Sequence, residues 1–218
     1  FSILTGPDRH FFAVCFFTHL AAAMPGVMVL FFIRDYLQAE SLSGLFLCLY
    51  FISGALLMTV WVRLAKRIGK EQAWFCSMIL AVCTFVWAFF LQPGDVVAYG
   101  VICVLSGMAL GADLALPPSI LADRVTNQKA QTHATQYYAF IAFIPKTAIA
   151  IASGISFLLL EYLGFVAGAE NSSRVLAGVI TLYALVPCFI KLGAAIYLRT
   201  LYKTEGDIDD DIKERSAY

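Results

Sequence analysis

The stretch "GADLALPPSILADRV", residues 111–125, sits in a run otherwise apolar enough to cross a membrane, yet it carries Asp113 and the adjacent prolines Pro117 and Pro118. A carboxylate at the centre of a bilayer costs at least about 2.5 kcal/mol. Two consecutive prolines withhold two backbone donors from any helix that contains them. Such features persist at membrane depth only where they face protein or a wet cavity, so the rest of the chain must supply a polar interior.

The composition is that of an integral membrane protein. Of 218 residues, 61% are hydrophobic and 14% charged, with a mean hydropathy of +0.80, against about 45–50% apolar and about 25% charged in a soluble domain. The formal net charge is zero, so no overall field draws a nucleic acid, and the lipid bilayer is the first partner expected. Cys15, Cys48, Cys76, Cys83, Cys103 and Cys188 all lie in apolar segments, with no CxxC pair and no histidine at metal-ligand spacing. They read as small hydrophobes, and neither a metal nor a cofactor is expected. The first apolar run is longer than the signal-peptide core of about 7–15 residues, so the start at Phe1 reads as a cut.

A spanning helix needs about 20 mostly apolar residues, and six segments qualify: 10–33, 42–62, 73–91, 96–122, 137–160 and 175–198. The expected fold is an all-α membrane protein, one six-helix bundle over residues 1–203 followed by a polar, solvated tail over 204–218. Eleven Lys and Arg, among them Arg9, Lys66, Arg67, Lys70 and Arg124, fall on the side of the N-terminus, against Arg34 and Arg174 on the other. Cytoplasmic connections retain basic residues, so both termini are expected inside. The acidic run "EGDIDDDIKER" lacks the spacing and glycine of a calcium loop. "NSS" at 171–173 is a formal glycosylation sequon on the outer side.

Four ionisable residues fall at one depth. At about 1.5 Å per residue from the cytoplasmic ends, His19, Asp113, Lys146 and Lys191 lie roughly 10–15 Å into a core about 30 Å thick. Midplane charges usually mark a substrate or ion path. Ser106 is one heptad before Asp113 and Ser153 one heptad after Lys146, so each charge shares a helix face with a hydroxyl. Asp113 and Lys146 are on consecutive antiparallel helices and are expected to pair. Lys191 is a weaker candidate, since its long side chain could snorkel.

Pro25-Gly26, Pro117-Pro118, Pro145 and Pro187 are expected to interrupt four of the helices. A single proline makes a packing kink as readily as a site; four breaks together with midplane charges favour transport, because discontinuous helices build many transporter sites. Gly107 and Gly111 form a G-xxx-G pair, and "AIAIASG" at 148–154 is small at nearly every second place, so both stretches permit close helix approach. Residues 73–91 carry no charge and have the bulky aromatics Phe85, Trp87 and Phe89 near their outer half, and this helix is expected to face lipid.

"LYFISGALLMTVWVRLAKRIGKEQAW" at 49–74, "GMALGADLALPPSILAD" at 107–123 and the lysine of the next helix together resemble the C-terminal half of the glycoside–pentoside–hexuronide cation symporters, the melibiose-permease-like branch of the major facilitator superfamily. The resemblance implies one half of a twelve-helix fold and symport of a sugar or related small solute, in a bacterial inner membrane. It also implies that Lys146 matches the family's intramembrane lysine and that Asp123 belongs, with Arg67, to a cytoplasmic gate. The coupling cation, sodium or proton, is then expected to bind mainly in an N-terminal six-helix half, the partner of this one. A lipid is the alternative solute, since distant relatives of that family carry lysolipids.

Two other classes are less well served by the residues. "LGAD" faintly resembles an intramembrane aspartyl protease signature, but that chemistry needs two carboxylates sharing a proton, and no second Asp or Glu lies at the midplane. A non-transporting membrane scaffold, or a small six-helix protein acting as a dimer, is the remaining alternative, and an upstream six-helix segment in the same reading frame would dispose of it.

Overall fold

The computed structural model describes residues 8–127 and 134–216, with side-chain surroundings for 8–126 and 134–202. The chain runs α1 (Arg9–Phe31), α2 (Ser43–Ile68), α3 (Lys70–Ala88), α4 (Val96–Asn127), α5 (Ala134–Tyr162), α6 (Ser173–Ile180) and α7 (Val186–Ser216). A π-helical turn, Phe32–Tyr36, prolongs α1, and a second, Thr181–Leu185, joins α6 to α7. Among the described residues six helices are long and apolar enough to cross a membrane, Arg9–Tyr36, Glu40–Ile68, Lys70–Ala88, Val96–Thr126, Ala134–Tyr162 and Ser173–Tyr202. Six passes put residues 8 and 202 at the same end of the bundle.

The connections are short where the chemistry allows. Gly69, at φ +92°, is the only residue between α2 and α3; a side chain there would be strained in the left-handed region, so glycine turns the chain. Lys66 and Arg67 occupy the last turn of α2, where cations favour the negative end of the helix dipole. In the α5–α6 loop the Asn171 amide accepts from the Val166 N–H and donates to the carbonyls of Val166 and Ala169. The sequon asparagine thus folds its own loop.

Two expectations are corrected. The prolines do not break the helices: Pro25 lies inside α1, Pro117 and Pro118 inside α4, and Pro145 inside α5, each of which continues past them. Pro187 is the second residue of α7, one residue past the π turn, whose wider register already departs from the α-helical hydrogen-bond ladder. Nor does α3 simply face lipid. Trp74, Ser77, Met78, Ala81, Thr84 and Ala88 are buried against α4 and α7, while Trp87 is exposed. The α-helical spacing of its small residues carries that buried face, and of the aromatics that suggested lipid only Trp87 is exposed: Phe85 and Phe89 are half-buried and pack against the core. Beyond Tyr202, in the stretch read as a polar tail, the backbone of α7 stays helical through Ser216.

The closest helix contact is between α2 and α4, and it depends on glycine. A Cβ on Gly107 would overlap the Ser53 hydroxyl and the Tyr50 carbonyl, and one on Gly111 would lie 2.5 Å from the Gly54 carbonyl. The G-xxx-G pair is therefore a packing seam. The small stripe of α5 is different. Ala148, Ala152 and Ser156 are buried in the core or against α1, but Gly154 on the opposite face has nothing within 4 Å.

The apolar core is divided between the two ends. One cluster, around Phe32, Phe46, Tyr99 and Tyr183, fills the end away from the termini, and another, around Phe11, Trp74, Leu116 and Leu198, fills the end that carries them. Between them lies a cavity.

Candidate functional site

The cavity has a volume of about 120 Å³ and is walled by α1, α2, α3, α4, and the joined α6 and α7. Along α4 its lining residues are Tyr99, Ile102, Cys103, Ser106, Ala109, Leu110 and Asp113, one helical face. Pro25 and Gly26 of α1, Tyr50 of α2, Phe85 of α3, and Pro187 and Lys191 of the sixth span complete it.

At the end of the cavity nearer the termini, Asp113 is 5% exposed and Lys191 7% exposed. Lys191 Nζ donates to Asp113 Oδ2 at 2.5 Å, and Trp74 Nε1 donates to Oδ1 at 3.1 Å. One carboxylate thus ties α4 to α3 and α7. The double proline acts at the same place: Pro117 and Pro118 have no N–H for the carbonyls of Asp113 and Leu114, their i−4 acceptors. That coincidence of carboxylate and withheld donors is what the stretch 111–125 encodes. Fourteen residues along α4, about 21 Å away at 1.5 Å per residue, the Tyr99 and Tyr183 hydroxyls meet at 2.8 Å and are buried. Tyr183 stacks on Phe32 with ring centroids 4.1 Å apart. Polar groups therefore mark both ends of a cavity whose walls are mainly apolar.

The expected Asp113–Lys146 ion pair does not form. Helix α5 packs on α1 and touches α4 only slightly, so consecutive helices are not neighbours here. Lys146 is exposed and has no ion pair among the described residues, and Ser153 on the same face is half-buried, outside the cavity lining. Ser106 does share the cavity with Asp113, its hydroxyl donating to the Ile102 carbonyl at 2.6 Å. His19 is half-buried, with Nδ1 2.7 Å from the Cys15 carbonyl one turn earlier, and it does not line the cavity. Its Nδ1 is engaged by its own helix.

At the end that carries the termini, Asp123 pairs with Lys70 at 2.5 Å; Arg67, the expected gate partner, is exposed with no ion pair among the described residues. The sharp turn at Gly69 brings Lys70 onto α4, where its Nζ also donates to the Ser119 carbonyl at 3.2 Å. A second network was not anticipated. Buried Asp8 accepts from Arg124 Nη1 at 3.1 Å and from the Tyr137 hydroxyl at 3.1 Å, while the Arg124 guanidinium lies over the Phe11 and Tyr202 rings. Trp74, which holds the second carboxylate oxygen, carries no signal in the sequence, whereas the shared depth of Lys191 and Asp113 is the readable sign of their pairing.

Six membrane-length helices around a cavity that ends on a buried ion pair define an integral membrane protein with an internal cavity. The family model for MFS/sugar transport proteins matches residues 6–205, nearly the whole chain, and the chain belongs to that family of the major facilitator superfamily. It is 31% identical over 154 residues to the mouse sphingosine-1-phosphate transporter MFSD2B, covering 67% of this chain and 31% of that protein. The zebrafish sodium-dependent lysophosphatidylcholine symporter 1-A is 25% identical over 154 residues, 67% of this chain and 29% of its own length. An uncharacterized symporter of Synechocystis is 21% identical over 206 residues, 90% of this chain and 38% of that protein. The chain thus spans about a third of the length of the curated relatives it matches.

Proposed function

We propose that this chain is the C-terminal six-helix half of a cation-coupled secondary transporter, of the melibiose-permease-like kind, that works by alternating access on a sugar or related small solute. The observation that carries the reading is the midplane cavity with its buried Asp113–Lys191 pair, in a chain of this family. Two helices support a missing partner half. Helices α2 and α5 are the least buried of the six spans and leave long apolar faces open, with Phe51, Ile52 and Leu56 on one and Phe143, Ile149 and Ile155 on the other. On this reading an N-terminal six-helix half covers those faces, holds most ligands of the sodium or proton, and is met by Lys146, Ser153 and Gly154 across the interface. The excess of basic residues at the end of the termini supports a cytoplasmic location for that end, with Lys70 and Asp123 in the inner gate. The match along 206 residues to a cyanobacterial symporter supports a bacterial inner membrane as the site of action.

A second reading of the solute, a single-chain lipid, is favoured by the cavity wall. Val29, Phe46, Leu47, Phe51, Phe85 and Ile102 give an apolar channel between two polar ends, and two of the relatives are named for lysolipid and sphingolipid transport. Uptake by the full-length protein in proteoliposomes, with sugars and lysolipids supplied in parallel and with or without a sodium gradient, tests both. Gradient-dependent uptake of one class assigns the solute; uptake of neither, under sodium or proton gradients, overturns the transporter reading.

A further inference from the structure

We propose that the Asp113–Lys191 pair recognises a neutral hydroxyl group of the transported solute, the hydroxyl accepting from Lys191 and donating to Asp113 at once. The proposal rests on the transporter reading and adds the chemical group that this half selects.

The argument begins with what the two side chains have left to offer. A lysine ammonium has three donors and a carboxylate about four acceptor positions. Within the protein, Lys191 uses one donor on Asp113, and Asp113 accepts one bond on each oxygen, from Lys191 and Trp74. Both residues line the cavity, so an unspent donor and an unspent acceptor lie side by side at its polar end. No hydrogen bond joins the Tyr50 hydroxyl, on the same lining, to another described residue.

Charge then decides among ligand classes. An anion approaching Lys191 meets the carboxylate that already neutralises it, and a free cation approaching Asp113 meets the ammonium. A metal ion also needs several oxygen ligands, and no group of three metal-ligating side chains occurs among the described residues. A hydroxyl brings no charge to bury, and it carries one donor and two acceptor positions, the complement of the pair. It satisfies both partners without breaking the 2.5 Å contact. The group could come from a sugar or from the free hydroxyl of a lysolipid, and the two share this chemistry.

The bland alternative is that the pair only staples α4 to α7. A buried ion pair replaced by apolar residues of similar volume usually keeps the fold, which separates the two roles. The test uses the full-length protein in nanodiscs and two probe pairs: a methyl galactoside with its monodeoxy analogues, and 1-palmitoyl lysophosphatidylcholine with its 2-deoxy analogue. Binding and sodium-driven uptake are both measured. For one pair, the wild type should bind the hydroxyl compound at least about tenfold more tightly than a deoxy analogue, since a site built to hydrogen-bond a hydroxyl rejects the analogue lacking it. In an Asp113→Leu, Lys191→Met double variant that ratio should fall to about one. Equal affinity within both pairs in the wild type, no binding of either, or discrimination that survives in the double variant overturns the proposal. Uptake without hydroxyl discrimination would sink the proposal and leave the transporter reading standing; discrimination in binding with no uptake would do the reverse.

Discussion

Lys146 and Lys191 are alike in sequence and unlike in the fold. Each is a lone cation in an apolar stretch, and their depths differ by only two residues, about 3 Å along a helix. Yet Lys191 is buried against Asp113, while Lys146 is exposed on α5. The difference comes from helix adjacency: α4 and α7 both flank α3, whereas α5 leans on α1. Depth says where a charge can be met, and packing says what meets it.

The largest expected effect breaks that comparison if it fails. Lys191→Ala leaves the Asp113 carboxylate buried without its cation and should destabilise the protein by about 3–5 kcal/mol, whereas Lys146→Ala should change stability by less than about 0.5 kcal/mol. Thermal unfolding in detergent compares the two. Similar losses for both would mean that Lys146 is also buried in a pair. Trp74→Phe should come next, at about 1.5–3 kcal/mol, because it removes a hydrogen bond to a charged group and leaves the ion pair in place.

The same contrast holds between the two small-residue stretches. Gly111→Ala places a methyl 2.5 Å from the Gly54 carbonyl, and separating α2 from α4 should cost about 1–3 kcal/mol. Gly154→Ala meets nothing and should stabilise α5 in this chain by up to about 1 kcal/mol, the helix preference of alanine over glycine. In the full-length transporter it should instead reduce uptake, if the partner half closes on that face. Uptake unchanged by Gly154→Leu would place the partner elsewhere.

How much of this was legible follows from what an apolar sequence can encode. The six spans could be read because about 20 apolar residues are needed to cross a bilayer; the helices overrun the expected bounds in polar stretches, from end turns such as Arg34–Tyr36 to the continuation of α7 through Ser216, while α3 stops three residues short at Ala88. The Gly107–Gly111 seam could be read because only glycine permits that approach. Which helices adjoin could not be read, since a face against lipid and a face against protein are equally apolar. That is why Asp113 was matched with its neighbour in sequence, and why the buried face of α3 was missed. The continuity of the helices past four prolines was also hidden: a missing N–H predicts a freed carbonyl, and whether the helix then breaks depends on what packs around it.

The smallest effect concerns the end that carries the termini. Two ion pairs there differ in burial: Asp8 with Arg124 is enclosed, while the Asp123 side chain is 55% exposed and that of Lys70 31% exposed. An exposed pair contributes about 0–1 kcal/mol and is screened by salt, because water competes for both charges and two side chains must be held still. A double-mutant cycle on Lys70→Ala and Asp123→Ala should therefore give a coupling below about 1 kcal/mol that shrinks further as salt is raised. The same cycle on Arg67→Ala and Asp123→Ala should give none, since Arg67 does not reach the carboxylate in this fold. A larger coupling for Arg67 than for Lys70 would restore the arginine to the gate and would mean that the turn at Gly69 can present either cation to α4.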